Sequence, residues 1–258
     1  MLSVIAWVVS FPDASANGAE KVKVFLLGGQ SNMVGFGSNA NDLTPPYNAP
    51  LPQVRIWDLK KKQWTGLPLL GAVFGPEAQS IGAFGPELSF GHAMATAFPE
   101  SDIRLIKYAA NGTALHDDWA PGKGEQYIAF KDTVKAALRD LEANRIEYEI
   151  AGMLWLQGEN DAIEKKGQDY QKNLLAFIKR IRTEFRTPKM PFVIARVRDH
   201  YGKGAQAKMV RDAQEYVAEK DGDVQWFDTD DCGPLVKGGH YTSKGLIEIG
   251  KRFAEKLK

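Results

Sequence analysis

Short apolar runs alternate along this chain with longer stretches in which apolar residues recur every three or four positions. The runs Val22 to Leu27, Ile103 to Tyr108, Ile150 to Leu156, Phe192 to Val197 and Val224 to Phe227 are rich in β-branched and aromatic residues. Turn residues bound each of them, which predicts five buried strands. Between the runs, Tyr127, Phe130, Val134, Leu138 and Leu141 share one face of a predicted helix. So do Tyr170, Leu174, Phe177, Ile178, Ile181 and Phe185, and later Leu246, Ile249, Phe253 and Leu257. Pro86 to Phe98 and Gln206 to Lys220 are predicted helices with weaker patterns. Strands that alternate with helices imply right-handed crossovers, hence a three-layer α/β domain with a mostly parallel, five-stranded sheet. Gly35 to Phe84 breaks the alternation. Rich in Pro, Gly, Asn and Trp and without clear period, it reads as a long excursion within the same domain.

Composition narrows the class. The 258 residues are 44% hydrophobic and 25% charged, ordinary values for a globular domain. Thirty-three Lys and Arg against 32 Asp and Glu leave a net charge of +1, which offers no basic footprint for nucleic acid. The single cysteine, Cys232, excludes an internal disulfide and a cysteine-rich metal site. Leu2 to Phe11 is an apolar run of ten residues, too short to span a bilayer, so no stable membrane insertion is expected. Ala14-Ser15-Ala16 follows it in the form of a signal-peptidase site, although Met1 precedes Leu2 with no basic residue between. We therefore expect residues 1–16 to be a signal peptide, 17–258 to be the working domain, and the protein to be secreted or periplasmic. A buried N-terminal segment is the alternative.

Candidate chemistry gathers where the predicted strands end, which is where such sheets bind ligands. The first strand runs into Gly28-Gly29-Gln30-Ser31-Asn32-Met33. This is neither G-x-S-x-G nor a phosphate loop, and Ser31 reads either as a helix cap or as a nucleophile. Asn111-Gly112-Thr113 follows the second strand, Gln157-Gly158-Glu159-Asn160-Asp161 follows the third, and Gly238-Gly239-His240-Tyr241-Thr242 precedes the last helix. A nucleophilic serine needs a base, for which histidine is best poised near neutral pH, and acyl transfer needs donors aimed at an oxyanion. His240 can supply the first. The N–H groups of Ser31 and Gly112 and the Asn160 amide can supply the second. His92 reads as packed or surface, His200 as a loop residue that could line the pocket, and His116 as a poor metal ligand without a second histidine at helical spacing. Trp57, Trp64 and Trp119 are candidates for sugar stacking, or simply for packing.

Taken together, these blocks resemble the SGNH (GDSL-type) hydrolases, in the sialate O-acetylesterase and acetylxylan esterase branch, carbohydrate esterase family six. The likeness rests on Gly29-Gln30-Ser31-Asn32-Met33, Asn111-Gly112-Thr113, Gln157-Gly158-Glu159-Asn160-Asp161, His240 and Gly85-Pro86-Glu87-Leu88, and it covers roughly Lys21 to the C-terminus. It implies a flavodoxin-like sandwich and a serine esterase that needs no metal or cofactor and takes acetyl groups from carbohydrate through an acetyl-enzyme. In it Ser31 is the nucleophile and His240 the base. Ser31, Gly112 and Asn160 form the oxyanion hole, with Gln30, Gln157 and Glu159 expected to contact substrate. One position departs from the pattern: Lys237 stands where an Asp usually orients the histidine. Asp228, Asp230, Asp231, Glu159 and Asp161 are the replacement candidates, and a backbone carbonyl at Lys237 is the other option. The alternative function is a catalytically impaired carbohydrate-binding protein on the same fold; a nucleotide-binding module is disfavoured by the missing phosphate loop.

Overall fold

The computed structural model describes residues 21–68, 82–199, 204–236 and 238–258. The expected signal peptide, His200 and Lys237 lie outside them. The strands are β1 (Val22–Gly29), β2 (Leu51–Asp58), β3 (Gln63–Leu67), β4 (Ile103–Ala109), β5 (Tyr148–Leu156), β6 (Phe192–Ala195) and β7 (Val224–Phe227). The helices are α1 (Ser31–Val34), α2 (Glu87–Ala97), α3 (Glu125–Ala143), α4 (Glu159–Ile163), α5 (Gly167–Glu184), α6 (Ala205–Lys220) and α7 (Ser243–Glu255). Layers of helix on both faces of a sheet are present as expected.

The five-stranded, mostly parallel sheet expected from the apolar runs is not. Among the described residues the sheet has seven strands in the order β3-β2-β4-β1-β5-β6-β7, and it is mixed, because β2 and β3 pair antiparallel. Both extra strands come from the stretch read as an excursion. They form an edge hairpin whose solvent-facing positions are polar. In β2 only Val54, Ile56, Trp57 and Asp58 are buried, and Pro52 interrupts its start. A run so short of buried apolar residues carries little periodic signal. Trp57 faces Trp64 across the hairpin, with ring centroids 5.2 Å apart, and Trp119 is fully buried. All three tryptophans pack in or against the core rather than lining the serine's cleft.

Strand β1 lies at the centre. The chain leaves it toward β2 and β4 on one side and returns to β5 on the other. That reversal opens a crevice at the carboxyl ends of the strands. Register sharpens it: Gly29 pairs with Ala109 of β4 and Leu156 of β5, so three strand ends finish level. Helices α3, α5 and α6 cover one face through Phe130, Phe177, Ile181 and Val210, and α2 and α7 cover the other through Phe90, Ile249 and Phe253. Each of these side chains contributes ~1.5–3 kcal/mol by leaving water. Among the described residues no helix is long and apolar enough to cross a membrane.

Candidate active site

Ser31 is the second residue past β1 and the first of α1, where the chain must turn at once. Gly29 makes this possible. A Cβ there would strike the Leu156 carbonyl and the Met33 side chain, so only glycine brings β1 this close to β5. The single turn of α1 then ends at Gly35, in the left-handed region at φ 101°, with its N–H bonded to Ser31 O. Ser31 is thereby fixed at a sharp corner of the crevice, 7% exposed.

His240 comes from the loop between β7 and α7. Val236 N–H donates to His240 O at 2.8 Å, which closes the loop into a tight turn. The Thr242 side chain caps α7 by accepting from Gly245 N–H. Within this frame His240 Nε2 lies 2.9 Å from Ser31 Oγ. Asn32 ties the two together: its Oδ1 accepts from Tyr241 N–H at 3.2 Å while its Nδ2 donates to Glu159 Oε1 at 2.8 Å. One side chain thus joins the serine turn, the histidine loop and α4.

A cleft of about 380 Å³ opens above the serine, lined by Ser31, His240, Gly112, Asn160, Phe36 and Ile163, with Gln30 and Glu159 in its wall. The structure brings Ser31, His240, Gly112 and Asn160 to one place. Asn160 is not a free donor here, since its Nδ2 donates to Gly112 O at 2.6 Å and Glu164 Oε1 at 3.1 Å. Gln30 is buried, and with its NH₂ turned toward them it donates to Thr113 O and Glu159 Oε2, both at 3.2 Å. Gln157, expected to touch substrate, is fully buried behind the cleft, where it donates to Thr113 O and Asp161 and accepts from Tyr170. Asn32, Phe36 and Ile163 were not singled out from sequence. Asn32 stood in plain view beside Ser31, whereas Phe36 and Ile163 carry no periodic signal at all.

The family described as "Carbohydrate esterase, sialic acid-specific acetylesterase" matches residues 21–258. The chain belongs to that family. This carbohydrate esterase is 25% identical over 248 residues to a probable carbohydrate esterase of Arabidopsis thaliana, covering 90% of this chain and 89% of that one. The solved structure of the Arabidopsis protein superposes with a TM-score of 0.75 at 23% identity, covering 91% of this chain and 97% of that chain. A structure described as NanS gives a TM-score of 0.69 at 13% identity, covering 93% and 97%. A carbohydrate acetylesterase from Xanthomonas citri gives 0.59 at 19%, covering 90% of this chain and 55% of the other. The SGNH assignment, with its five-stranded topology, gives way to this family and its seven-stranded sheet.

The esterase's carboxylates are committed elsewhere than His240. Asp228 pairs with Arg196, Asp230 with Arg211 at 2.7 Å and Asp231 with Arg252 at 2.6 Å. Asp161 accepts from Leu115 N–H, His116 N–H and Gln157 Nε2, pinning the loop after Gly112. His116 lies between Asp161 and Glu164, at 3.4 and 3.3 Å. Glu159 is held by Asn32, and burial raises its carboxyl above the ordinary 4.5. His240 Nδ1 is buried and has no hydrogen-bond partner among the described residues. Burial therefore acts on the imidazole unopposed and lowers its pKa below the ordinary 6.5.

Proposed function

We propose that this esterase removes O-acetyl groups from carbohydrate, of acetylxylan or sialate type, through an acetyl-enzyme formed on Ser31. The observation that carries the proposal is the 2.9 Å approach of His240 Nε2 to Ser31 Oγ in the open cleft. The family description and the Xanthomonas citri neighbour, a carbohydrate acetylesterase, support the acetyl group and the sugar. The leader-like residues 1–16 support a place of action outside the cytoplasm.

In this mechanism Ser31 Oγ bonds to the acetyl carbonyl carbon as its proton passes to His240 Nε2. The oxyanion is met by the N–H groups of Ser31 and Gly112 and by Asn160 Nδ2, which exchanges its bond to Glu164 for one to the oxyanion. Collapse breaks the carbon–oxygen bond to the sugar, whose oxygen takes the proton from Nε2. Water then attacks the acetyl-enzyme and gives its proton to Nε2. The second collapse returns that proton to Ser31 and frees acetic acid. Gln30, Glu159 and Gln157 serve as supports of the cleft wall. Acetate release from acetylated xylo-oligosaccharides and O-acetylated sialic acid, with a burst from an activated acetate ester, tests the reading. Sugar binding without any burst would instead support the impaired binding protein.

The base is a histidine that has no carboxylate partner among the described residues, a Ser-His dyad. Its acid limb follows from the sign of the shift. The neutral imidazole is the working form, and burial lowers its pKa, so kcat/KM falls only below a midpoint under 6.5 and is flat above it. A carboxylate beside the ring would move that limb the other way. Replacing Asp228, Asp230, Asp231 or Asp161 by Asn, or Glu159 by Gln, one at a time, then leaves every variant far more active than Ser31→Ala. A ~10⁴-fold loss in any one, the size of losing a triad acid, makes that residue the third member.

A further inference from the structure

The two most exposed large apolar side chains among the described residues line the same cleft. Phe36 is 56% exposed and Ile163 is 60% exposed, and both line the space above Ser31. The same cleft is lined by the polar side chains of Ser31, His240 and Asn160. Apolar surface held in water in a cleft with polar groups is characteristic of a binding site rather than of packing.

Their neighbours divide the work. The Phe36 ring rests against the His240 imidazole, with centroids 4.7 Å apart and planes at 46°, while much of the side chain faces solvent. Ile163 lies three residues beyond Asn160 on α4, and so on the same face one turn later. Ester cleavage at Ser31 imposes a direction on the substrate. The leaving oxygen must take its proton from His240 Nε2, so the alcohol half of the ester lies on the histidine side. The carbonyl oxygen must point to Gly112 and Asn160, so the acyl chain takes the remaining direction, away from the histidine.

We propose that Phe36 is the platform for the sugar ring of the leaving alcohol and that Ile163 is the wall against the acyl group. Phe36 offers its ring to the C–H face of a pyranose, the part of a sugar that an aromatic surface desolvates at least cost. Ile163 limits the acyl chain by occupying the space a longer one would need. This inference rests on the esterase reading above and specifies how that site chooses its substrate.

The test is a matrix of kcat/KM values. Wild-type protein, Phe36→Ala, Phe36→Tyr and Ile163→Ala are each assayed on an acetylated methyl pyranoside and ethyl acetate, which differ in the leaving alcohol. They are then assayed on acetyl and butyryl esters of one alcohol, which differ in the acyl group. Phe36→Ala loses about tenfold more on the pyranoside than on ethyl acetate, chiefly through KM, and Phe36→Tyr restores the ratio. Ile163→Ala moves the acetyl-to-butyryl ratio about tenfold toward butyryl and leaves the leaving-group ratio in place. Equal losses on pyranoside and ethyl acetate in Phe36→Ala would mean that Phe36 only supports His240, and would overturn the proposal. So would an Ile163→Ala protein with an unmoved acyl ratio. Absence of ester hydrolysis by the wild-type protein is a separate result and overturns the esterase reading itself.

Discussion

Replacing Ser31 with alanine lowers kcat by about 10⁶-fold, the scale on which a serine nucleophile is lost. The size follows from its place in the mechanism. Without Oγ there is no acetyl-enzyme, and His240 Nε2, now 2.9 Å from nothing it can deprotonate, is left with water alone. The fold should not notice. Ser31 makes a single side-chain hydrogen bond to the histidine, worth about 1 kcal/mol at most. The turn that carries it is set by Gly29, Gly35 and the Asn32 bonds, all intact in the variant. Steady-state assay on an acetate ester beside a thermal melt reads both quantities. A Ser31→Ala protein that keeps a tenth of its activity removes this serine from the chemistry.

The largest effect on stability is expected beneath that serine. Lys107 of β4 is fully buried, and its Nζ lies 2.6 Å from Glu87 Oε2 at the start of α2, also buried. Lys107 Nζ also donates to Val34 O at 3.3 Å, at the end of α1, and Glu87 Oε1 accepts from Gly85 N–H at 2.8 Å. The pair is a pedestal under the turn that carries Ser31. Glu87→Ala strands the ammonium in the core and costs about 3–5 kcal/mol of unfolding free energy, as does removal of one partner from other buried pairs. The double variant Glu87→Gln/Lys107→Met recovers most of that loss, because the desolvated charges go together. Urea denaturation of the single and double variants decides it. A single variant within about 1 kcal/mol of wild type would show that the pair contributes little here.

Five of the seven strands, and all five of the long helices, were legible in the chain because burial on two faces writes itself as apolar runs and three-to-four-residue recurrences. The β2–β3 hairpin was not. An edge pair buries one side and leaves the other to solvent, and with Pro52 and a polar β3 it looks like loop. Motif blocks marked Ser31, Gly112, Asn160 and His240, because each block is a short local run, three of them at strand ends and the last just before α7. What those blocks omit is mutual placement. Gln157 stands in the same block as Asn160, yet Gln157, ahead of α4, is buried behind the cleft, while Asn160, within α4, lines it.

The residue types of the chain thus specify the layers, the strand ends and the reactive groups, since each depends on neighbours within a few positions. The strand order, the 2.9 Å meeting of residues 209 apart, and the Asn32 tie that holds it were decided only by tertiary structure. The same is true of the arginines that pair with Asp228, Asp230 and Asp231. A carboxylate's partner is whichever cation packing brings within reach, and no local pattern in the chain records that distance.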